Sequence, residues 1–170
     1  MSTRRHFMSQ SAAAASALAF PLVSGAQPRP IKVGVLHPVT GALAYSGQQC
    51  RLGAMLAIED INAAGGIKSL GGAKIEAMLG DAQSNPQAGT AEIEKMNEAG
   101  VSAVVGAFAS AICLATTQAA AKYNLPHVVD VGVADQIVER GLKNTFRFGP
   151  GYRKCAETAV ANLHVLNTAA

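Results

Sequence analysis

The chain has 170 residues, about the size of one domain. Of these, 49% are hydrophobic and 15% charged, which supplies a core and counts against a disordered chain. The net charge is +3, and without Arg4 and Arg5 twelve cations face eleven anions, so the concentrated basic footprint of a nucleic-acid binder is missing.

The N-terminus reads as a targeting segment. Arg4-Arg5 precedes an alanine-rich apolar run, Ser11–Val23, broken by Pro21, and Ser24-Gly25-Ala26 offers the small residues a signal peptidase reads. The run is too short to span a membrane, which takes about 20 residues. Residues 1–26 are therefore expected to be a signal peptide cleaved near Ala26, leaving a mature chain, 27–170, outside the cytoplasm. Thr3-Arg4-Arg5-His6-Phe7-Met8 resembles a twin-arginine signal. The alternative is an ordinary secretory signal that contains two adjacent arginines.

Beyond that lead, Ile31–Leu36 is an apolar run suited to a strand buried on both faces of a parallel sheet. A helix is predicted over Gln48–Ala63, with Leu52, Met55, Leu56 and Ile61 at helical spacing and Gly65-Gly66 as its stop. Lys74–Leu79 is the second strand. Ser84-Asn85-Pro86 starts a helix over Pro86–Ala99, which Gly100 ends. Ala103–Val105 is the third strand, Ser110–Tyr123 an alanine-rich helix, and His127–Val131 the fourth strand. A helical piece near Gln136–Arg140 and a fifth strand, Thr145–Phe148, follow. The last helix begins after Gly149-Pro150-Gly151 and carries an apolar stripe of Tyr152, Cys155, Ala156, Ala159, Val160, Leu163 and Leu166. Strands alternating with helices predict an α/β fold: a parallel sheet with right-handed crossovers and helices on both faces.

Enzyme motifs are mostly absent. No G-x-G-x-x-G follows the first strand, and there is no phosphate-binding G-x-x-x-x-G-K-[ST], no H-E-x-x-H and no G-x-S-x-G. Cys50, Cys113 and Cys155 are far apart without C-x-x-C, so spacing supports neither zinc nor a dithiol motif, and they are expected to be buried structural thiols on helices. His37, His127 and His164 are isolated in sequence, more in keeping with surface or satisfied core histidines than with metal ligands. No metal or cofactor is expected. Asp81 and Asp130 stand at strand ends and can pair as acid and base, but closing the following turn suffices for Asp81.

What remains is a ring of strand-end loops. The first strand offers Thr40, Gly41, Tyr45 and Ser46; the third Phe108, Ala109 and Ser110; the fourth Asp130, Gly132, Val133 and Ala134. In a parallel sheet all three loops open at one edge, where open α/β proteins bind small molecules. Ser110 opens a helix, and free N–H groups with the positive dipole end favour an anion there. A plain N-cap explains the same serine equally well.

Several pieces now fall into one order: the Thr40-Gly41 loop, Arg51-x-Gly53, Ile61-Asn62-x-x-Gly65-Gly66-Ile67, Asp81-x-x-x-x-Pro86, Val104-Val105-Gly106 and Phe146-Arg147. From Ile31 onward the chain resembles the first lobe of the leucine/isoleucine/valine-type periplasmic binding proteins, the solute receptors of ABC importers. The resemblance implies a type I (flavodoxin- or Rossmann-like) lobe without its second lobe, a fragment or truncated product. It implies a small solute, an amino acid or an organic or aromatic acid, a membrane permease as partner, a periplasmic location and no catalysis. In similar receptors a serine matching Ser110 binds the ligand carboxylate, and Gly132 matches a backbone donor. Ala134 stands where a threonine is expected and Asp130 where a serine or threonine is common, departures that count against plain branched-chain amino acids because two neighbouring carboxylates repel. Ser46 replaces an aromatic residue, with Tyr45 beside it. A lone lobe lacks half the ligand contacts and is expected to bind weakly. The rival readings are a ligand-sensing lobe of a regulator, a non-functional truncated receptor, and an exported enzyme using Asp81 or Asp130.

Overall fold

The structure, a computed structural model, describes residues 28–168; the expected signal peptide lies outside the described residues. Five strands form one parallel sheet: β1 (Ile31–His37), β2 (Ile75–Asp81), β3 (Ala103–Gly106), β4 (His127–Val129) and β5 (Thr145–Arg147), in the order β2-β1-β3-β4-β5. Between them run α1 (Ala44–Ala63), α2 (Pro86–Glu98), α3 (Ser110–Lys122) and the short α4 (Gln136–Glu139); α5 (Tyr152–Thr168) follows β5.

The strand order dictates the layers. The chain steps from β1 outward to β2, then reverses direction to reach β3, β4 and β5. Right-handed crossovers place α1 on one face and α2 and α3 on the other. The face under α2 and α3 is closed: Leu36, Ile93, Met96, Val104, Ile112 and Val129 are buried. A Cβ on Gly34 would meet Met96 and Val104, so even-numbered β1 positions face these helices. The odd positions face α1. Strand register aligns Leu79, Val35, Val105, Val128 and Phe146 in one apolar row across that second face. Val35 is buried, whereas Leu79 and Phe146 are 50% and 54% exposed at the two edges.

Local chemistry explains most boundaries. Asn85 Oδ1 accepts from Gln87 N (2.7 Å) and Ala88 N (3.2 Å), the cap read from Ser84-Asn85-Pro86. The start of α1 differs from expectation by four residues, since the helix begins at Ala44 with no capping side chain. Gly47, which read as a loop glycine, is helical, and glycine is required there because a Cβ would overlap the Pro38 carbonyl. Tyr45 and Ser46 therefore lie in the first helical turn rather than in a loop. Leu52 and Leu56 of the predicted α1 stripe are exposed; Ile58 is the large side chain that α1 buries.

Two further expectations are corrected. The α5 stripe is present but faces solvent: every residue of Tyr152–Leu163 is exposed, and the helix is tied to the rest of the lobe at its start, through Tyr152 N to Val133 O (2.9 Å) and Arg153 N to Asp135 Oδ2 (3.1 Å). Cys155 is therefore exposed rather than buried, while Cys113 is buried and Cys50 half-buried. Burial pushes the Cys113 thiol up to about 11, as suits an inert core thiol.

Candidate functional site

The sheet order reverses between β1 and β3, and the crevice at the C-terminal ends of such strands is where open α/β sheets take ligands. Two clusters occupy that edge.

The first joins the β3 and β4 loops. Ala109, not Ser110, is the N-cap of α3. Ser110 is the first helical residue, and its Oγ accepts from Val133 N (3.2 Å) and Ala134 N (3.1 Å). The serine is thus more than a cap: its oxygen gathers two loop N–H groups, and its hydroxyl hydrogen remains to be donated. Arg147 fixes the same loop by donating Nη1 to Ala134 O (2.9 Å) and Nε to Gly149 O (3.1 Å). Gly132 is buried against Cys113 and Ile137. Phe108, just before α3, is held at φ +67°, a strained backbone for a non-glycine residue and a common mark of ligand sites.

The second cluster spans β1, α1 and β4. His37 follows Val35 and Asp130 follows Val128 on the same face, both at the strand-end edge just beyond the last paired residues of β1 with β3 and of β3 with β4. His37 Nε2 lies 2.7 Å from Asp130 Oδ2. His37 is fully buried, and Asp130 keeps 24% exposure. Burial pushes the Asp130 carboxyl up, but the hydrogen bond and charge of His37, with the Val131 N–H, outweigh it and hold the group below its usual value. Cys50 of α1 completes the cluster: its Sγ, a His37 ring nitrogen and an Asp130 oxygen all lie within 4.8 Å of one another. Burial, then the Asp130 charge, pushes the Cys50 thiol up, the reverse of an activated nucleophile.

The β1 loop turns elsewhere. Asp81 accepts from Val39 N (3.0 Å) and Gln83 N (2.8 Å) through Oδ1 and from the Thr40 hydroxyl (2.7 Å) through Oδ2. Burial works to raise this carboxyl, and the Thr40 and backbone hydrogen bonds prevail and lower it. Ser84 Oγ donates to Thr40 O (2.7 Å) and accepts from Leu43 N (2.9 Å). Thr40 and Gly41 are thereby pinned against the β2 loop, and the Thr40 hydroxyl hydrogen is spent on Asp81. Tyr45 stands out at 78% exposure on α1. So Ser110, Val133 and Ala134 come together as a unit, with Phe108 and Ala109 preceding Ser110 in the chain. Thr40 and Gly41 form a separate unit.

Sequence reasoning left His37 and Cys50 as isolated residues. Their meeting with Asp130 depends on the β1-β3-β4 strand order, which no local pattern reports. Arg51 was likewise missed as a positioning residue: its Nη2 donates to Gly80 O at the end of β2. His127 behaves as a core histidine, buried with Nε2 3.2 Å from Gly106 O and pushed down to about 4 by burial. The side chain of His164 lies outside those described.

A five-stranded parallel lobe with its polar groups gathered at the switch-point edge is the architecture on which open α/β proteins take small molecules. The profile of the family described as periplasmic binding protein matches residues 30–164, and the chain belongs to that family. Among curated relatives, Leu/Ile/Val-binding protein homolog 8 of Brucella abortus (strain 2308) is 37% identical over 131 residues, 76% of this chain and 32% of that protein. Homolog 7 of Brucella melitensis is 36% identical over 144 residues, 84% of this chain and 35% of that protein. Among solved structures, the branched-chain amino acid transporter substrate-binding protein LivJ of Streptococcus pneumoniae, in complex with isoleucine, superposes with a TM-score of 0.67 at 30% identity, covering 72% of this chain and 34% of that one. A solute-binding protein of an ABC transporter from Rhodopseudomonas palustris BisB5, in complex with 3,4-dihydroxybenzoic acid, gives a TM-score of 0.61 at 22% identity over 74% and 33% of the two chains, which bears on the fold alone. The chain spans about a third of the length of the relatives it matches.

Proposed function

We propose that this chain is the N-terminal lobe, residues 27–170, of the substrate-binding component of an ABC importer, exported to the periplasm by a twin-arginine signal in residues 1–26. It takes a small organic acid or amino-acid-like solute and passes it to a membrane permease, without catalysis. The observation that carries this reading is Ser110: a hydroxyl at the start of α3, at the switch-point edge, with a hydrogen free to donate and two loop N–H groups drawn to its oxygen. A solute carboxylate docking there receives the hydroxyl and the dipole end of α3. Its competitor for the same charge, Asp130, is already engaged by His37 at 2.7 Å. That engagement removes part of the repulsion that the aspartate otherwise imposes on an acidic solute. The family resemblance, the relatives named Leu/Ile/Val-binding protein homologs and the isoleucine carried by LivJ support an amino-acid-like solute.

The test is calorimetric titration of the chain with leucine, isoleucine and 3,4-dihydroxybenzoate. One lobe supplies half a binding cleft, because receptors of this kind hold their ligand by closing two lobes on it. The expected result is weak, saturable binding of at least one of these, lost on Ser110→Ala. A sub-micromolar dissociation constant contradicts the single-lobe account, and binding indifferent to Ser110→Ala contradicts the site.

A further inference from the structure

We propose that His37, Cys50 and Asp130 form a three-ligand site for a thiophilic divalent cation of the zinc class, at the crevice between β1 and β4. This goes beyond the solute-binding reading and stands or falls separately from it.

Three different elements deliver the ligands: the end of β1, the second turn of α1 and the residue after β4. Their donor atoms lie within 4.8 Å of one another. A tetrahedral centre with zinc-to-nitrogen, -oxygen and -sulfur bonds of about 2.0 to 2.3 Å separates its ligands by roughly 3.3 to 3.8 Å. The His37–Asp130 contact of 2.7 Å therefore opens by about 1 Å when a metal takes the Nε2 lone pair with the ring proton held on Nδ1, and the Cys50 sulfur draws in as its thiol proton passes to solvent.

Charge and donor type select the ion. A thiolate, a carboxylate and a neutral imidazole together carry two negative charges, which a dication neutralises in a site where one ligand is fully buried and the other two half-buried. Sulfur and imidazole together favour zinc or cobalt over magnesium and calcium, which take oxygen ligands. The buried ring of His37 has no other polar engagement, since its Nδ1 meets no hydrogen-bond partner. Three protein ligands leave a fourth position open, and the exposed fraction of Asp130 provides the entry path.

Cobalt(II) titration of the chain, followed by absorption, tests the site with the metal alone. The expected result is one ion per chain with a thiolate-to-cobalt charge-transfer band. Cys50→Ser abolishes the band and weakens binding more than about 100-fold, beyond the loss typical of removing an outer-shell partner. Cys155→Ser, on the exposed face of α5, leaves both unchanged. Asp130→Asn weakens binding with the band retained. Cys50 is half-buried on a helix surface, so its variant remains folded and decides the matter even where His37→Gln does not fold. No charge-transfer band in the parent chain, or a band that survives Cys50→Ser, overturns the proposal; solute binding by Ser110 is unaffected in either case.

Discussion

The two faces of the sheet are built from the same kind of sequence and reach different ends. Under α2 and α3, apolar residues at helical and strand spacing close into a core with Leu36, Met96, Val104, Ile112 and Val129 essentially inaccessible. On the other face, an equally apolar row from Leu79 to Phe146 is covered at its centre and open at both edges. Beyond the sheet, α5 likewise presents an amphipathic stripe to solvent. Periodicity states that a face is apolar; it does not state what covers it. The closed face holds most of the buried apolar side chains, the other face adding Val35 and Ile58, and the functional edge is anchored on the closed face through α3.

This contrast fixes the order of mutational effects. The largest belongs to Gly106, which has φ +135° and where a Cβ would overlap the Leu36 carbonyl as β3 closes on β1. Gly106→Val is expected to cost more than about 4 kcal/mol and abolish the cooperative urea transition. Next, Ile112→Ala and Met96→Ala each cost about 2–5 kcal/mol in the same measurement, because the cavities they leave cannot collapse.

Acid acts on the closed face too. His127 is buried there with its value at about 4 against 6.5 when unfolded. The unfolded chain then binds the extra proton, so stability falls as pH drops from about 6.5 to about 4, by about 3 kcal/mol in all. Asp130 and Asp81 are lowered carboxyls whose contribution is lost at still lower pH, in the same direction. Urea unfolding across this range should show the decline, and His127→Gln should flatten it between pH 6.5 and 4. A flat profile in the parent chain would mean that His127 is not held neutral by burial.

Smaller effects mark the edge and the open face. Ser110→Ala removes the oxygen that gathers Val133 N and Ala134 N, at a cost of about 1 kcal/mol. Leu52→Ser on α1 and Leu163→Ser on α5 change stability by no more than about 0.5 kcal/mol, since both side chains already stand in water. If either cost as much as Ile112→Ala, that side chain would be covered in solution and the contrast would fail.

Much of this architecture was legible in the chain. Turn chemistry announced α2 through Asn85-Pro86, and Asp81 was read correctly as a turn-former. The strands were found within one or two residues at most ends. The start of α1 was not, because no side chain caps it and Gly47 is needed for packing against Pro38 rather than for a turn. At the site, Ser110 was placed at the right helix end, but its bond to the next loop depends on strand adjacency. The His37–Asp130 contact joins residues 93 apart, and only the switch in strand order puts them at one edge. The left-handed backbone of Phe108 carries no glycine to announce it.

The central claim is that the strand-end edge around Ser110 is where this lobe meets its solute. Titrating the isotopically labelled chain with leucine, isoleucine and 3,4-dihydroxybenzoate, while following backbone amides by NMR, tests it residue by residue. The account predicts shifts concentrated at Phe108–Ser110 and Gly132–Ala134, saturating with the solute and lost in Ser110→Ala. Shifts centred instead on Val39, Gln48, Arg51 and Leu52, which line an open hollow of about 330 Å³ beside β2, would contradict it.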